Sequence, residues 1–296
     1  MIFAHLSDLH LRDEADAVEL GRQLDRIVSR NADHLVITGD LLDRWQPALL
    51  DIILDALGQR GLLSADRVTI LHGNHDLASS GGHPRHRRDL LRVALRFWDP
   101  PPLLAMRRAR FYRRIEARAP GVAARAPFVK ELAGGVVLAV VDTVPSPWRP
   151  FSVRGREISL NHARGAVGRA QIAWLSRLPP RDTLVILTHH YPLPISPYEW
   201  GKPGTDRPSW LDRWRVVVPM EIGADDRERF WSAAQAAGAT AVLCGHVHRA
   251  RVDHYRGIAV GLNGQSGAEW AGRTIAYYRI ERGLFDVEYE SDPRHL

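Results

Sequence analysis

The chain has 296 residues, 45% of them hydrophobic and 25% charged, enough to bury a core as one large domain or two small ones. No run of about 20 apolar residues is present to span a membrane, the opening MIFAHLSDLH lacks the basic start of a signal peptide, and the lone Cys244 excludes a disulfide framework and fits a reducing cytoplasm. The formal charge of +6 would suit an anionic partner, but Lys130 and Lys202 are the only lysines, and the arginines are interspersed with acids over most of the chain, so the charge reads first as composition.

In chain order, nearly continuous apolar runs at 2–7, 35–38, 68–71, 136–141, 183–187 and 240–244 predict strands buried on both faces. Helices are predicted between them over 16–29, 47–57, 85–97, 169–178 and 225–237. The alternation predicts an α/β fold. Near the end, 258–262, 274–280 and 284–289, with a turn at Glu281-Arg282-Gly283, predict a small antiparallel sheet. Two segments break the pattern. One, 100–127, is rich in arginine and proline with weak periodicity. The other, 191–218, carries Pro192, Pro194, Pro197, Pro203 and Pro208 with Trp200, Trp210 and Trp214. Long stretches of this kind are uncommon inside a domain unless they serve a function. No linker or internal repeat divides the chain. The expectation is one domain over 1–296, with insertions near 77–130 and 191–220.

Five of the apolar runs end in polar groups of one kind. They are followed by Asp8-Leu9-His10, Gly39-Asp40-Leu41-Leu42-Asp43, Gly73-Asn74-His75-Asp76, His189-His190 and Gly245-His246-Val247-His248. Open α/β sheets place their sites at the carboxyl ends of strands, and glycine allows a sharp turn and a close approach there. Singly, each piece has a plain reading: a solvated Asp-x-His loop, a Gly-Asp turn, a left-handed Asn74, a hydrogen-bonded core histidine at 189 or 190. Five in succession make coincidence improbable. Asp, Asn and His offer oxygen and nitrogen ligands with no thiolate set, which excludes a structural cysteine zinc site. Such a set suits Mn, Fe, Zn, Co or Ni, and Mg less well. Seven candidate ligands are too many for one ion with an open position. They suit two ions about 3.5–4 Å apart that share a carboxylate and act on phosphorus.

In this order and over residues 8–248, the motifs resemble those of the calcineurin-like metallophosphoesterases. The flanking SDLHL, GRAQIAWLSRL and LCGHVHR are most similar to the branch that contains cyclic-nucleotide phosphodiesterases and glycerophosphodiesterases. The resemblance implies a four-layer α/β/β/α sandwich of two mixed sheets flanked by helices. It implies that Asp8, His10, Asp40 and His248 hold one ion and Asp40, Asn74, His189 and His246 the other, with Asp40 bridging and His189 preferred to His190. His75, oriented by Asp43, would stabilise phosphoryl oxygens or protonate the leaving group, and Asn74 would also contact phosphate. The implied activity is phosphoester hydrolysis by in-line attack of a hydroxide bridging two divalent ions, Mn²⁺, Fe²⁺/Fe³⁺ or Zn²⁺. The expected substrate is a small diester such as a cyclic nucleotide or a glycerophosphodiester, capped by the two insertions. The alternatives on the same ions are a nuclease, with the arginine- and aromatic-rich 85–112 stretch on a nucleic-acid backbone, and a lipid-linked nucleotide-sugar pyrophosphohydrolase. A non-catalytic binding module is disfavoured, because every ligand position of the pattern is filled.

Overall fold

The structure, a computed structural model, describes residues 1–79, 99–144, 152–154, 157–159, 164–195, 220–264, 266–267, 273–281 and 284–291. Its first half is built from parallel strands β1 (Ile2–Leu6), β2 (His34–Ile37) and β3 (Val68–Ile70), joined by helices α1 (Glu14–Ser29) and α2 (Pro47–Gly58). Asp13 starts α1, its carboxylate accepting from the amides of Ala15 at 3.0 Å and Asp16 at 3.1 Å. Proline at the first turn starts α2. Helix α3 (Pro101–Arg118) follows, then β4 (Phe128–Glu131), β5 (Val136–Val140) and a hairpin of β6 (Ser152–Arg154) and β7 (Glu157–Ser159). The second half runs through α4 (Arg169–Leu175), β8 (Thr183–Leu187), α5 (Ala224–Ala236), β9 (Ala239–Cys244), β10 (Ala250–Tyr255), β11 (Ile258–Asn263), β12 (Ile275–Glu281) and β13 (Leu284–Glu290).

The main strands form two mixed sheets. One has the order β13-β12-β1-β2-β3 and the other β10-β11-β9-β8-β5-β4. Side chains alternate across each strand, and the alternation divides the core into three. Ala4, Leu6, Leu35 and Ile37 pack with Leu24, Ile53, Leu54 and Phe111 under α1, α2 and α3. Phe3, Val36, Leu138, Val185, Leu243 and Tyr278 fill the space between the sheets. Ala139, Ile186 and Val242 pack with Leu175, Phe230 and Trp231 under α4 and α5. The result is helix, sheet, sheet, helix, the four-layer architecture expected.

Two expectations are corrected, and strands β4, β6, β7 and β10 were not expected. The last three strands do not make a sheet of their own: β11 lies parallel to β9 in the six-stranded sheet, while β12 pairs antiparallel with β1 and β13. The irregular segment 100–127 contains the 18-residue α3, which buries Leu104, Arg108, Phe111, Tyr112 and Ile115. Strand β10 was not expected, because its side chains are mostly half-buried and show no apolar run. The helix expected at 85–97 and most of the 191–218 segment lie outside the described residues. Among the described residues, no helix is long and apolar enough to cross a membrane.

Candidate metal centre

Parallel strands β1, β2, β3, β8 and β9 all end at one edge of the molecule, and the turns that follow them hold the candidate ligands. These turns are conformationally unusual. Asp8, His10, Asp40, His246 and His248 have φ of 55°, 46°, 51°, 71° and 50°. A left-handed backbone costs a non-glycine residue about 1–2 kcal/mol, and such strain gathers at functional sites. Glycine is required where the turns touch: a Cβ on Gly73 would collide with the Asp40 carboxylate, and one on Gly245 with Ser7 Oγ and the Asp8 carboxylate.

Three overlapping groups result, each with ligand atoms within 4.8 Å of one another: Asp8, Asp40, His189 and His246; Asp8, His10 and His248; and His10, Asp40 and His75. Asp40 Oδ2 stands 3.8 Å from His10 Nε2 and 3.3 Å from His189 Nε2, facing both sides of the cluster. Asp8 Oδ1 stands 3.8 Å from His10 Nε2 and 3.3 Å from His248 Nε2. Asn74 Oδ1 is 2.9 Å from His189 Nε2. The ring of His189 is fixed by its Nδ1, which donates to the Thr38 carbonyl at 2.8 Å and so turns Nε2 to Asn74 and Asp40. His190 is drawn away instead, its Nδ1 2.9 Å from Thr143 Oγ1. His75 Nδ1 donates to the main-chain carbonyl of Asp43 at 2.9 Å. The cluster opens to solvent beside the half-buried His75 and His248.

These residues fit divalent cations. The Nε2 atoms of His10 and His248 face each other at 3.2 Å. The buried Asp8 Oδ1, Asp40 Oδ2 and Asn74 Nδ2 make no hydrogen bond, an arrangement that wants positive charge among the oxygens. The electrostatics agree. Burial opposes ionisation of Asp8, yet the imidazoles of His10 and His248 beside its Oδ1 hold it well below the usual carboxylate range. Burial opposes ionisation of Asp40 too, and the charges of His189 and His75 outweigh it, so that carboxyl is also held down. Burial opposes charge on His189, but Asp40 outweighs it and raises the imidazole to about 9. His75 moves the other way, lowered chiefly by burial.

Further residues brace the cluster, one of them, Asp76, already part of a strand-end motif but with no role assigned to it from the sequence. Asp76 accepts from the amides of Leu42 at 2.9 Å and Gly73 at 2.8 Å, tying two ligand turns together. Burial and the Asp40 charge raise its carboxyl to about 7. At the end of β5, Asp142 lies 3.4 Å from His72 and 3.1 Å from Arg108, and His72 Nδ1 is 2.7 Å from the Tyr112 hydroxyl. This buried network joins α3 to the strand that carries Asn74.

A sequence model of the calcineurin-like phosphoesterases matches residues 1–250. No curated protein matches the chain. Among solved structures, a dimetal phosphatase from Danio rerio is similar with a TM-score of 0.54 at 11% identity, covering 98% of each chain. TT1561 of Thermus thermophilus is similar with a TM-score of 0.52 at 9% identity, covering 97% of each chain. GAP50, the anchor in the inner membrane complex of Plasmodium, is similar with a TM-score of 0.50 at 10% identity, covering 100% of this chain and 86% of the other. At these identities the structural likeness concerns the fold.

Proposed function

Because this chain belongs to the calcineurin-like phosphoesterase family, we propose that it is a phosphoester hydrolase with a two-ion centre, acting on a small phosphodiester such as a cyclic nucleotide or a glycerophosphodiester. The observation that carries the reading is the convergence of Asp8, Asp40, His189 and His246, from four strand ends, with buried carboxylate oxygens that make no hydrogen bond. Asp8, His10, Asp40 and His248 would hold one ion and Asp40, Asn74, His189 and His246 the other. Mn²⁺, Fe²⁺/Fe³⁺ and Zn²⁺ all suit these donors. Two such ions supply a nucleophilic water near neutral pH and offset the charge of the phosphoryl oxygens. His75, at the open side, holds a proton on Nδ1 against the Asp43 carbonyl, which leaves Nε2 to serve a substrate oxygen. Asn74 Nδ2 offers a donor to a phosphoryl oxygen. We further take 1–296 as one domain, since β12 and β13 from its end complete the sheet that β1 begins.

The nuclease reading draws on arginines before and within α3. Within the 85–112 stretch on which that reading rests, Arg107 already faces Asp99 and Arg108 faces Asp142. That favours the small diester over a nucleic-acid backbone. The deciding assay compares bis(p-nitrophenyl) phosphate with p-nitrophenyl phosphate on metal-stripped protein reconstituted with Mn²⁺, with Asp40→Ala as control. Faster diester turnover that is lost in the variant supports the reading. Faster monoester turnover replaces it with a phosphatase, the activity in the name of the Danio rerio relative.

A further inference from the structure

The loop after β11 packs on the back of two ligand-bearing turns. Ser266, 2% exposed, forms a reciprocal pair with Ser7. The Ser7 amide donates to Ser266 Oγ at 3.2 Å, and the Ser266 amide donates to the Ser7 carbonyl at 3.2 Å. The Ser266 hydroxyl proton is directed to the Thr274 carbonyl at 2.9 Å, so the oxygen presents a lone pair to Ser7. Around this clasp, Asn263 donates from Nδ2 to the carbonyls of His5 at 2.6 Å and Thr274 at 3.1 Å. Gln23 of α1 donates to the Ser266 carbonyl at 2.8 Å. Two glycines let the loop close on the turns. A Cβ at Gly267 would lie 2.6 Å from the Asp8 carbonyl oxygen and 2.8 Å from that of Leu9, and one at Gly264 would lie 2.5 Å from the His248 amide nitrogen.

This contact is one-sided. In the two-ion reading Asp8 and His248 serve the same ion, with His10, although Asp8 also lies within 4.8 Å of the ligand atoms of Asp40, His189 and His246. The turn that carries Asn74 and the ring of His189 are held by different groups, Asp76 and the Thr38 carbonyl. The peptide before Asp8 is therefore held on one side by Ser266 and on the other by the Asp8 amide, which donates to the Gly39 carbonyl at 3.1 Å, at a residue whose φ of 55° the backbone would not adopt unaided. A ligand set must be held to about 0.5 Å to bind its ion well.

Resting on the two-ion reading above, we infer that Ser266 is a positioning residue for the ion held by Asp8, His10 and His248, and that its clasp on Ser7 tunes the affinity of that ion and not of the other. The test is calorimetric titration of the metal-stripped full chain with Mn²⁺. Wild type takes up two ions. Ser266→Ala keeps one at wild-type affinity and weakens the other about 10-fold or more, the usual cost of losing an outer support. Ser266→Thr, which keeps the hydroxyl, restores most of that loss. Thr69→Val, which removes a remote buried bond of 2.9 Å to His34, leaves both ions unchanged and controls for general destabilisation. If circular dichroism shows that Ser266→Ala does not fold, Gln23→Leu, which loosens the same loop from α1, weakens the same ion by a smaller factor. Two ions weakened in parallel, or neither weakened, overturns the inference and leaves the two-ion reading standing. A wild-type chain that binds no Mn²⁺ overturns both.

Discussion

The main-chain amide of His10 donates to the carbonyl of Asp40 at 3.0 Å. It is one rung of a ladder. The amide of Asp8 donates to Gly39 at 3.1 Å and that of Leu11 to Leu41 at 2.9 Å. The parallel pairing of β1 and β2 thus continues past the strand ends, through the residues that carry the ligands. These bonds tie the two turns to each other, which is how short loops can hold carboxylates and imidazoles in register.

Asp40 faces both sides of the cluster, so its charge matters to both ions. Asp40→Asn keeps the shape and removes the charge. The expected result is loss of tight Mn²⁺ binding and a fall in kcat/KM on bis(p-nitrophenyl) phosphate of at least about 100-fold, or about 2.7 kcal/mol of transition-state stabilisation. A variant that retained both ions and near-normal turnover would remove Asp40 from the centre.

His75 and Asp43 separate by variant. His75→Ala should lower kcat by about 100-fold or more, the range of general acid–base catalysis. Asp43→Asn retains the carbonyl that orients the ring and should cost far less. Equal losses in steady-state kinetics would bring the Asp43 carboxylate itself into the reaction.

Metal removal should loosen the site before the sheets. Ligands that bind only the folded chain stabilise it, by about 2.7 kcal/mol at a concentration 100 times Kd. Addition of a chelator should lower Tm, and hydrogen exchange should quicken at 8–11 and 245–248 while β5 and β8 stay protected. An unchanged Tm in the chelator would argue against bound ions.

His34 makes stability depend on pH away from the site. Burial lowers its pKa to about 4 from 6.5. Its ring nitrogens meet the Asp66 carbonyl at 2.7 Å and Thr69 Oγ1 at 2.9 Å. Between those values the unfolded chain takes a proton that the folded chain refuses. The contribution is complete above pH 6.5 and is lost as pH falls toward 4, by up to about 3 kcal/mol. Urea unfolding at pH 7.5 and 4.5 should show this drop, and His34→Gln should shrink it.

The exposed pairs of Arg114 with Asp51 and Arg118 with Asp55 join α3 to α2. Arg114→Ala with Arg118→Ala should cost no more than about 1 kcal/mol per pair. Diester turnover should be unchanged and only weakly dependent on salt. A steep salt dependence that vanished in the double variant would revive the nucleic-acid reading.

The centre was legible because its chemistry sits in short motifs at strand ends, where residue type and position coincide. Its supports were not. Asp76 stood in a motif, but its bracing role was hidden because it acts through main-chain amides, and Ser7, Asn263 and Ser266 act through contacts across more than 250 residues of chain, for which no local spacing exists. Helix α3 was missed for a different reason. Its buried face, Leu104, Arg108, Phe111, Tyr112 and Ile115, has helical spacing, but an arginine stands on that face and is paired with Asp142, just after β5 and distant in sequence. The tail strands have the expected pattern of hairpins. Which sheet they join depends on Phe3 and Tyr278 packing between the layers, a pairing local sequence does not encode.

Of the eight non-glycine residues with positive φ among the described residues, five are Asp8, His10, Asp40, His246 and His248. Their identity is therefore opposed by the backbone that carries them. Glycine at any of the five would relax its turn, whereas alanine would keep the strain and lose the ligand. Their ligand chemistry, and not backbone preference, accounts for these residue types. In a lineage freed from selection for that chemistry, drift toward glycine or asparagine at these positions would erase the centre while making the scaffold more stable. Loss of catalysis in this fold is a downhill path, and its reversal is uphill.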